Sequence, residues 1–225
     1  MMLNKRNIYI LTFLVVGLIA LFAYTARLPK MFPFNRQNAL DEWEERVFKN
    51  RVLYSVEPRR EGGYLLAQSK DASSGLMHRL KFNPKQYPMI SWEWKVIKFP
   101  DKTKAKQLKE GWLEKDDYAA RVYVIFPSWF IVNMKCIEYV WAEDLPEGKI
   151  MTSPYWKNIK LIVAESGRDN KGKWVFEERN IYEDYKKAFG RSPGSVGAIA
   201  LMTDTDNTLS TAEAQYTAIR VGYKK

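Results

Sequence analysis

Apolar side chains recur at every second residue in one segment of this chain after another, and a period of two fits a strand rather than a helix. In Pro88–Val96 (PMISWEWKV), Ile90, Trp92, Trp94 and Val96 share one face, with Ser91, Glu93 and Lys95 on the other. Asp116–Phe126 (DDYAARVYVIF) behaves alike from Tyr118 onward. Ala120, Val122, Val124 and Phe126 make a continuous apolar face, while Ala119, Arg121, Tyr123 and Ile125 line the opposite one. An arginine in such a strand must be paired, solvated or lining a site.

Further strands are predicted at Val52–Val56, Gly63–Gln68, Leu76–Phe82, Ile137–Ala142, Ser195–Met202 and Ala214–Val221, divided by turn-like stretches such as EPRREG and SKDASSG. Ile159–Ala164 and Trp174–Arg179 are expected to pair as a hairpin across GRDNKG. Leu40, Trp43 and Val47 have helical spacing in a segment short enough to lead into a strand instead. One short helix is well marked: Asn180 caps it, Glu183 stands three residues later, and Gly190 stops it. Glu183 and Asp184 in its first turn, and Lys186 and Lys187 in its last, suit the helix dipole. About ten strands without βαβ alternation predict an all-β fold, an antiparallel β-sandwich of the jelly-roll type, with residues 38–225 as one domain. Lys98–Lys115 reads as a long lysine-rich loop.

The amino end follows different rules. Lys5 and Arg6 precede nineteen residues, Ile8–Ala26, without a charge. As a helix these would span roughly 28 Å, enough for a bilayer. Cleavage after Ala26 would put Tyr24 at the −3 position, a poor signal-peptidase site, and cleavage after Thr25 would put Ala23 there. Residues 1–26 are therefore expected to be an uncleaved signal anchor, with secretion to the periplasm after cleavage as the alternative. Residues 27–37, with Pro29 and Pro33, read as a tether. The expected address is the bacterial inner membrane, single-pass, with the domain facing the periplasm.

Several of these segments, namely PMISWEWKV, DDYAARVYVIF, YVW at Tyr139–Trp141, WVFEERN at Trp174–Asn180, DYKKAFG at Asp184–Gly190 and AIALMTDTDNT at Ala198–Thr208, together resemble the bacterial domain-of-unknown-function 3047 family. The resemblance covers most of residues 43–222. It implies a secreted or envelope protein and carries no activity with it. At the level of fold the strand order is also similar to galactose-binding-like jelly rolls among carbohydrate-binding modules.

The formal net charge of +10 favours anionic partners, or keeps lysine-rich loops soluble. Nucleic acid is the least expected of these partners, because the address is extracytoplasmic and the lysines are scattered among acids. Cys136 is the only cysteine, which excludes an intramolecular disulfide and cysteine-based metal sites. His78, the only histidine, is expected on a solvent-facing strand position, with no nucleophile elbow near it.

Arg121, Tyr123, Tyr139, Trp141 and Arg179 are the candidate ligand-binding residues. A guanidinium grips a carboxylate or sulfate in two places, and aromatic rings stack on sugars. The competing reading pairs Arg121 with Glu93, Glu138 or Glu177, and buries Trp92, Trp94, Tyr139 and Trp141 as core. Asp204 and Asp206, with Asp116–Asp117, offer hard oxygens of the kind calcium uses in a structural role; otherwise they cap a turn. The leading expectation is a membrane-tethered, non-catalytic module for an anionic polysaccharide. One alternative is a polysaccharide lyase or hydrolase, using Arg121 with Tyr123 or Tyr139, or the pair Glu93 and Glu138. The other is an envelope assembly or scaffold protein that binds another protein.

Overall fold

The computed structural model describes residues 28–58, 62–103 and 116–224. In chain order its strands are β1 (Lys30–Phe32), β2 (Glu44–Lys49), β3 (Leu53–Pro58), β4 (Gly63–Lys70), β5 (Ser73–Phe82), β6 (Met89–Lys98) and β7 (Arg121–Phe126). Then come β8 (Lys135–Ala142), β9 (Ile150–Thr152), β10 (Ile159–Ser166), β11 (Val175–Asn180), β12 (Val196–Met202), β13 (Thr211–Tyr216) and β14 (Ile219–Tyr223). The single described α-helix, α1, runs Ile181–Phe189. The strands form two sheets. The first has the order β1-β14-β6-β13-β4-β3, with β11 along the other edge of β6; the second runs β2-β5-β12-β7-β8-β10-β9.

The sheets close on each other through the period-two faces. From β6, Ile90, Trp92, Trp94 and Val96 point inward and are almost completely buried. They meet Tyr139 and Trp141 of β8, with Trp92 5.2 Å from Tyr139 and Trp94 6.0 Å from Trp141 between ring centroids. Val122, Val124 and Phe126 of β7 complete the layer. Rings of this size dominate core energetics, and truncating one costs about 3–5 kcal/mol.

The second sheet is buried on its outer face too. Tyr123, Ile125, Cys136, Val140, Leu161, Val163, Ala200 and Met202 form a separate apolar cluster there. Leu145, Met151 and Trp156, from the chain between β8 and β10, pack against it. A sheet covered on both faces needs near-continuous apolar strands, which explains IKLIVAE in β10 and VGAIALM in β12.

The short helix forms as its sequence predicts. Asn180 accepts a hydrogen bond from the Glu183 amide, and Gly190 ends the helix in the left-handed region at φ 68°. Other elements depart from expectation. No hairpin joins β10 to β11: β10 pairs with β8 and β9, whereas β11 crosses to β6 in the other sheet. The β8–β10 pair is parallel, so the sandwich is not wholly antiparallel. The excursion through β9 supplies the crossover that parallel neighbours require. Part of the expected tether is strand β1, paired with β14. Trp43 is a buried ring just ahead of β2 and belongs to no α-helix. His78 is buried as well, against the Phe32 and Trp43 rings, with Nε2 3.0 Å from Glu42 and 3.1 Å from Lys30. Burial lowers its pKa. Among the described residues no helix is long and apolar enough to cross a membrane; the span expected at 8–26 lies outside them.

Candidate functional site

The five residues proposed from sequence to bind ligand fall into separate environments. Arg121 and Tyr123 lie on the outer face of the second sheet, where both are buried. The Arg121 guanidinium binds Glu138, the Asp116 carbonyl and, at 2.7 Å, Asp204 Oδ1. It stands 4.9 Å from the Tyr118 ring centroid. Burial opposes its charge, but Asp204, Tyr123, Glu138 and Asp116 together hold it firmly protonated. The Tyr123 hydroxyl donates to Glu138 at 3.2 Å. The paired-arginine alternative is therefore what forms, with Glu138 among the partners.

Tyr139 and Arg179 meet elsewhere, around Asp184 of α1. Arg179 donates through Nε and Nη2 to the two Asp184 oxygens, at 3.0 Å each, and Tyr139 donates to Oδ2 at 2.9 Å. This bidentate clamp joins β11, β8 and the helix. Trp141 is core, its Nε1 donating to the Gly167 carbonyl at 3.0 Å. The rings of Trp92, Trp94, Tyr139 and Trp141 face each other or the interior, leaving no stacking surface for a sugar.

The enzymatic alternatives fit less well. A tyrosine that abstracts a proton needs a lowered pKa. Burial pushes both Tyr123 and Tyr139 well above the ordinary phenol value. Glu93 and Glu138 do not converge: Glu93 lies on the outer face of the first sheet, opposite Phe176, and Glu138 on the outer face of the second, opposite Tyr123.

The aspartates do come together. Carboxylate oxygens of Asp117, Asp204 and Asp206 lie within 4.8 Å of one another, all buried. Their donors argue for a turn cap rather than a cation cage. Asp117 Oδ1 accepts from the Asn207 amide and side chain at 3.2 and 3.0 Å, and Oδ2 from the Thr208 amide and hydroxyl at 2.7 and 2.6 Å. Asp204 Oδ1 already accepts from Arg121 and from the Tyr118 amide. Burial raises Asp204, and it pushes Asp116 up to about 8 despite the pull of Arg121.

The outer face of the first sheet presents aromatic side chains to solvent. Leu65 and Ala67 of β4 point inward, so Tyr64 and Leu66 point out. On β11, Phe176 is 61% exposed and lies opposite Glu93. Trp174, just before β11, crosses toward Tyr64, the two rings meeting edge to face with centroids 6.0 Å apart. Lys95 Nζ stands 4.7 Å from the Trp174 ring. Farther along the face, Arg220 lies 4.3 Å over Tyr223, and Tyr223 donates to Glu178 at 3.1 Å. Aromatic faces beside charged and hydroxyl groups are what sugar recognition requires. The sequence signal was present, since Trp174 and Phe176 alternate with Val175 and Glu177, but the expected hairpin placed β11 in the wrong sheet.

Residues 41–220 match the family described as Protein of unknown function (DUF3047). The chain belongs to the DUF3047 family. No curated protein matches it. Among solved structures, this DUF3047 domain is similar to the K1 cleaved adhesin domain of Lys-gingipain from Porphyromonas gingivalis W83, with 10% identity, TM-score 0.44, and coverage of 88% of this chain and 100% of that one. It is also similar to the family 30 carbohydrate-binding module of a cellulosomal cellulase of Clostridium thermocellum, with 8% identity, TM-score 0.44, and coverage of 82% and 92%. A third is the xyloglucanase domain of NopAA, a type three effector from Sinorhizobium fredii, in complex with cellobiose, with 10% identity, TM-score 0.42, and coverage of 86% and 96%.

Proposed function

We propose that the domain is a non-catalytic glycan-binding module, held at the bacterial inner membrane by residues 8–26 and facing the periplasm. Its ligand is an anionic polysaccharide that lies across the outer face of the first sheet. One observation carries this reading: Tyr64, Trp174 and the exposed Phe176 line a single sheet face together with Lys95. C–H faces of sugar rings pack on the aromatics, and Lys95 and Arg220 pair with carboxylate or sulfate groups. The address is supported by the uncharged run after Lys5 and Arg6.

The test is titration of the purified full chain, in detergent, with bacterial envelope and acidic polysaccharides. Saturable binding is expected, weakened about tenfold in Trp174→Ala, since one lost aromatic contact is worth on the order of 1.4 kcal/mol. Silence across the panel from a folded protein overturns the reading. Release of unsaturated products would replace it with the lyase alternative.

A further inference from the structure

The β7–β8 loop presents apolar side chains to solvent. Trp129 is 79% exposed, Phe130 65% and Val132 68%. Singly exposed apolar residues are ordinary, but three within four positions at one loop tip form a patch that water does not favour. The tip is built on a fixed base. Pro127 packs against Gly197 so closely that a Cβ there would lie 2.6 Å from its ring. Met134 is buried, the Asn133 amide closes a turn onto the Phe130 carbonyl at 2.9 Å, and Asn158 donates to the Val132 carbonyl at 2.7 Å.

The surroundings of the tip are cationic. Lys135 binds Asn158 at 3.2 Å and lies 4.8 Å over the Phe189 ring at the end of α1. Burial, and then the nearby charges of Arg191, Lys160 and Lys157, lower its pKa, so four basic residues share one neighbourhood. Among the described residues none of these four is ion-paired with a carboxylate. An apolar tip containing a tryptophan, joined through Asn158 to a cationic neighbourhood, matches the two layers of an anionic membrane surface: acyl chains below, charged head groups above.

We propose that the β7–β8 loop inserts Trp129, Phe130 and Val132 into the interface of an anionic lipid bilayer, with Lys135, Lys157, Lys160 and Arg191 on the head groups. The contact is separate from the outer face of the first sheet and does not depend on it. It would fix the orientation of the sandwich on the membrane.

The test labels full-length Phe130→Cys and, separately, Val132→Cys with an environment-sensitive fluorophore; Cys136 is buried and does not compete for the label. Each protein is mixed with vesicles of phosphatidylcholine alone or with phosphatidylglycerol added. A label at Gln68, exposed on the first sheet, serves as control. The expected result is a blue shift with severalfold brighter emission at positions 130 and 132 on phosphatidylglycerol vesicles only. Quenching by lipid-borne nitroxides should accompany it, while position 68 stays water-like. Raising salt from about 0.1 to 0.5 M, or Lys157→Glu with Lys160→Glu, should reverse it. Because position 68 reports any general association through residues 8–26, equal responses at 68 and 130 overturn the proposal. So does a water-like label at both tip positions, or a shift that ignores lipid charge.

Discussion

Tyr64 and Trp174 meet edge to face on the outer surface of the first sheet, their ring planes 63° apart, although β6 and β13 lie between the strands that carry them. The contact bridges β4 and β11 above the Lys95 side chain, and so makes one surface of two distant segments. Phe176→Ala should weaken polysaccharide binding while leaving the thermal midpoint within about 2 °C, because an exposed side chain contributes little to stability. Calorimetric titration alongside thermal denaturation checks both parts. A folded Phe176→Ala variant with unchanged affinity would count against this face.

Arg121 behaves as part of the fold. Arg121→Ala leaves Glu138 and Asp204 buried without their cation, and is expected to cost about 3–5 kcal/mol. Arg121→Met combined with Glu138→Leu should recover part of that loss, since an apolar pair replaces a broken ionic one. Urea denaturation of the wild type, Arg121→Met, Glu138→Leu and the double variant measures the coupling. Equal losses in the single and double variants would refute it.

Asp117 fastens the loop that follows β12. Asp117→Ala removes four hydrogen bonds and strands two buried amides, so a loss of about 2–4 kcal/mol is expected. Asp117→Asn, which keeps the shape but cannot accept from all four donors, should fall between. Calcium or chelator should move the thermal midpoint of the wild-type protein by no more than about 1 °C. A midpoint that rises with calcium concentration would mean that Asp204 and Asp206 serve a cation after all.

Glu177 makes stability depend on pH. It faces inward from β11 beside Trp92, and burial, with Glu165 adding repulsion, pushes its pKa from 4.5 up to about 8. Arg179 pulls the other way, and Glu147 adds to the repulsion. The folded state therefore prefers the neutral acid. This preference is without cost below pH 4.5 and destabilises the fold progressively as pH rises toward 8, at up to about 1.4 kcal/mol per unit. Asp116 contributes in the same sense. Unfolding midpoints should fall between pH 5 and pH 8, and Glu177→Gln should flatten that slope. An identical slope in the variant would remove Glu177 as its cause.

Much of the sandwich could be read from local pattern. The inward faces of β6 and β7 alternate strictly, and the cap and stop of α1 are residues whose backbone preferences act alone. What escaped the reading depended on partners far along the chain. That Arg121 stands on the non-core face of its strand is visible in the alternation. That this face is covered depends on Leu145, Met151 and Trp156, which arrive from the excursion between β8 and β10. GRDNKG offers a good turn, and nothing local says that the strand after it leaves its neighbour for β6. The surface around Trp174 and Phe176 was missed, because these residues gain Tyr64 and Lys95 as neighbours only in the other sheet.

The pairing of β1 with β14 has a mechanical side. Lys30, Met31 and Phe32 lie against Val221, Arg220 and Ile219, so the strand nearest the amino end is zipped to the last strand of the fold. Tension applied at residue 28 would reach the carboxyl-terminal strand through three residue pairs and, through Lys30 and Phe32, the side chains of Glu42, Trp43 and His78. A domain hung from its amino end would thus carry part of its load on its last strand, and shortening the chain there would loosen its suspension.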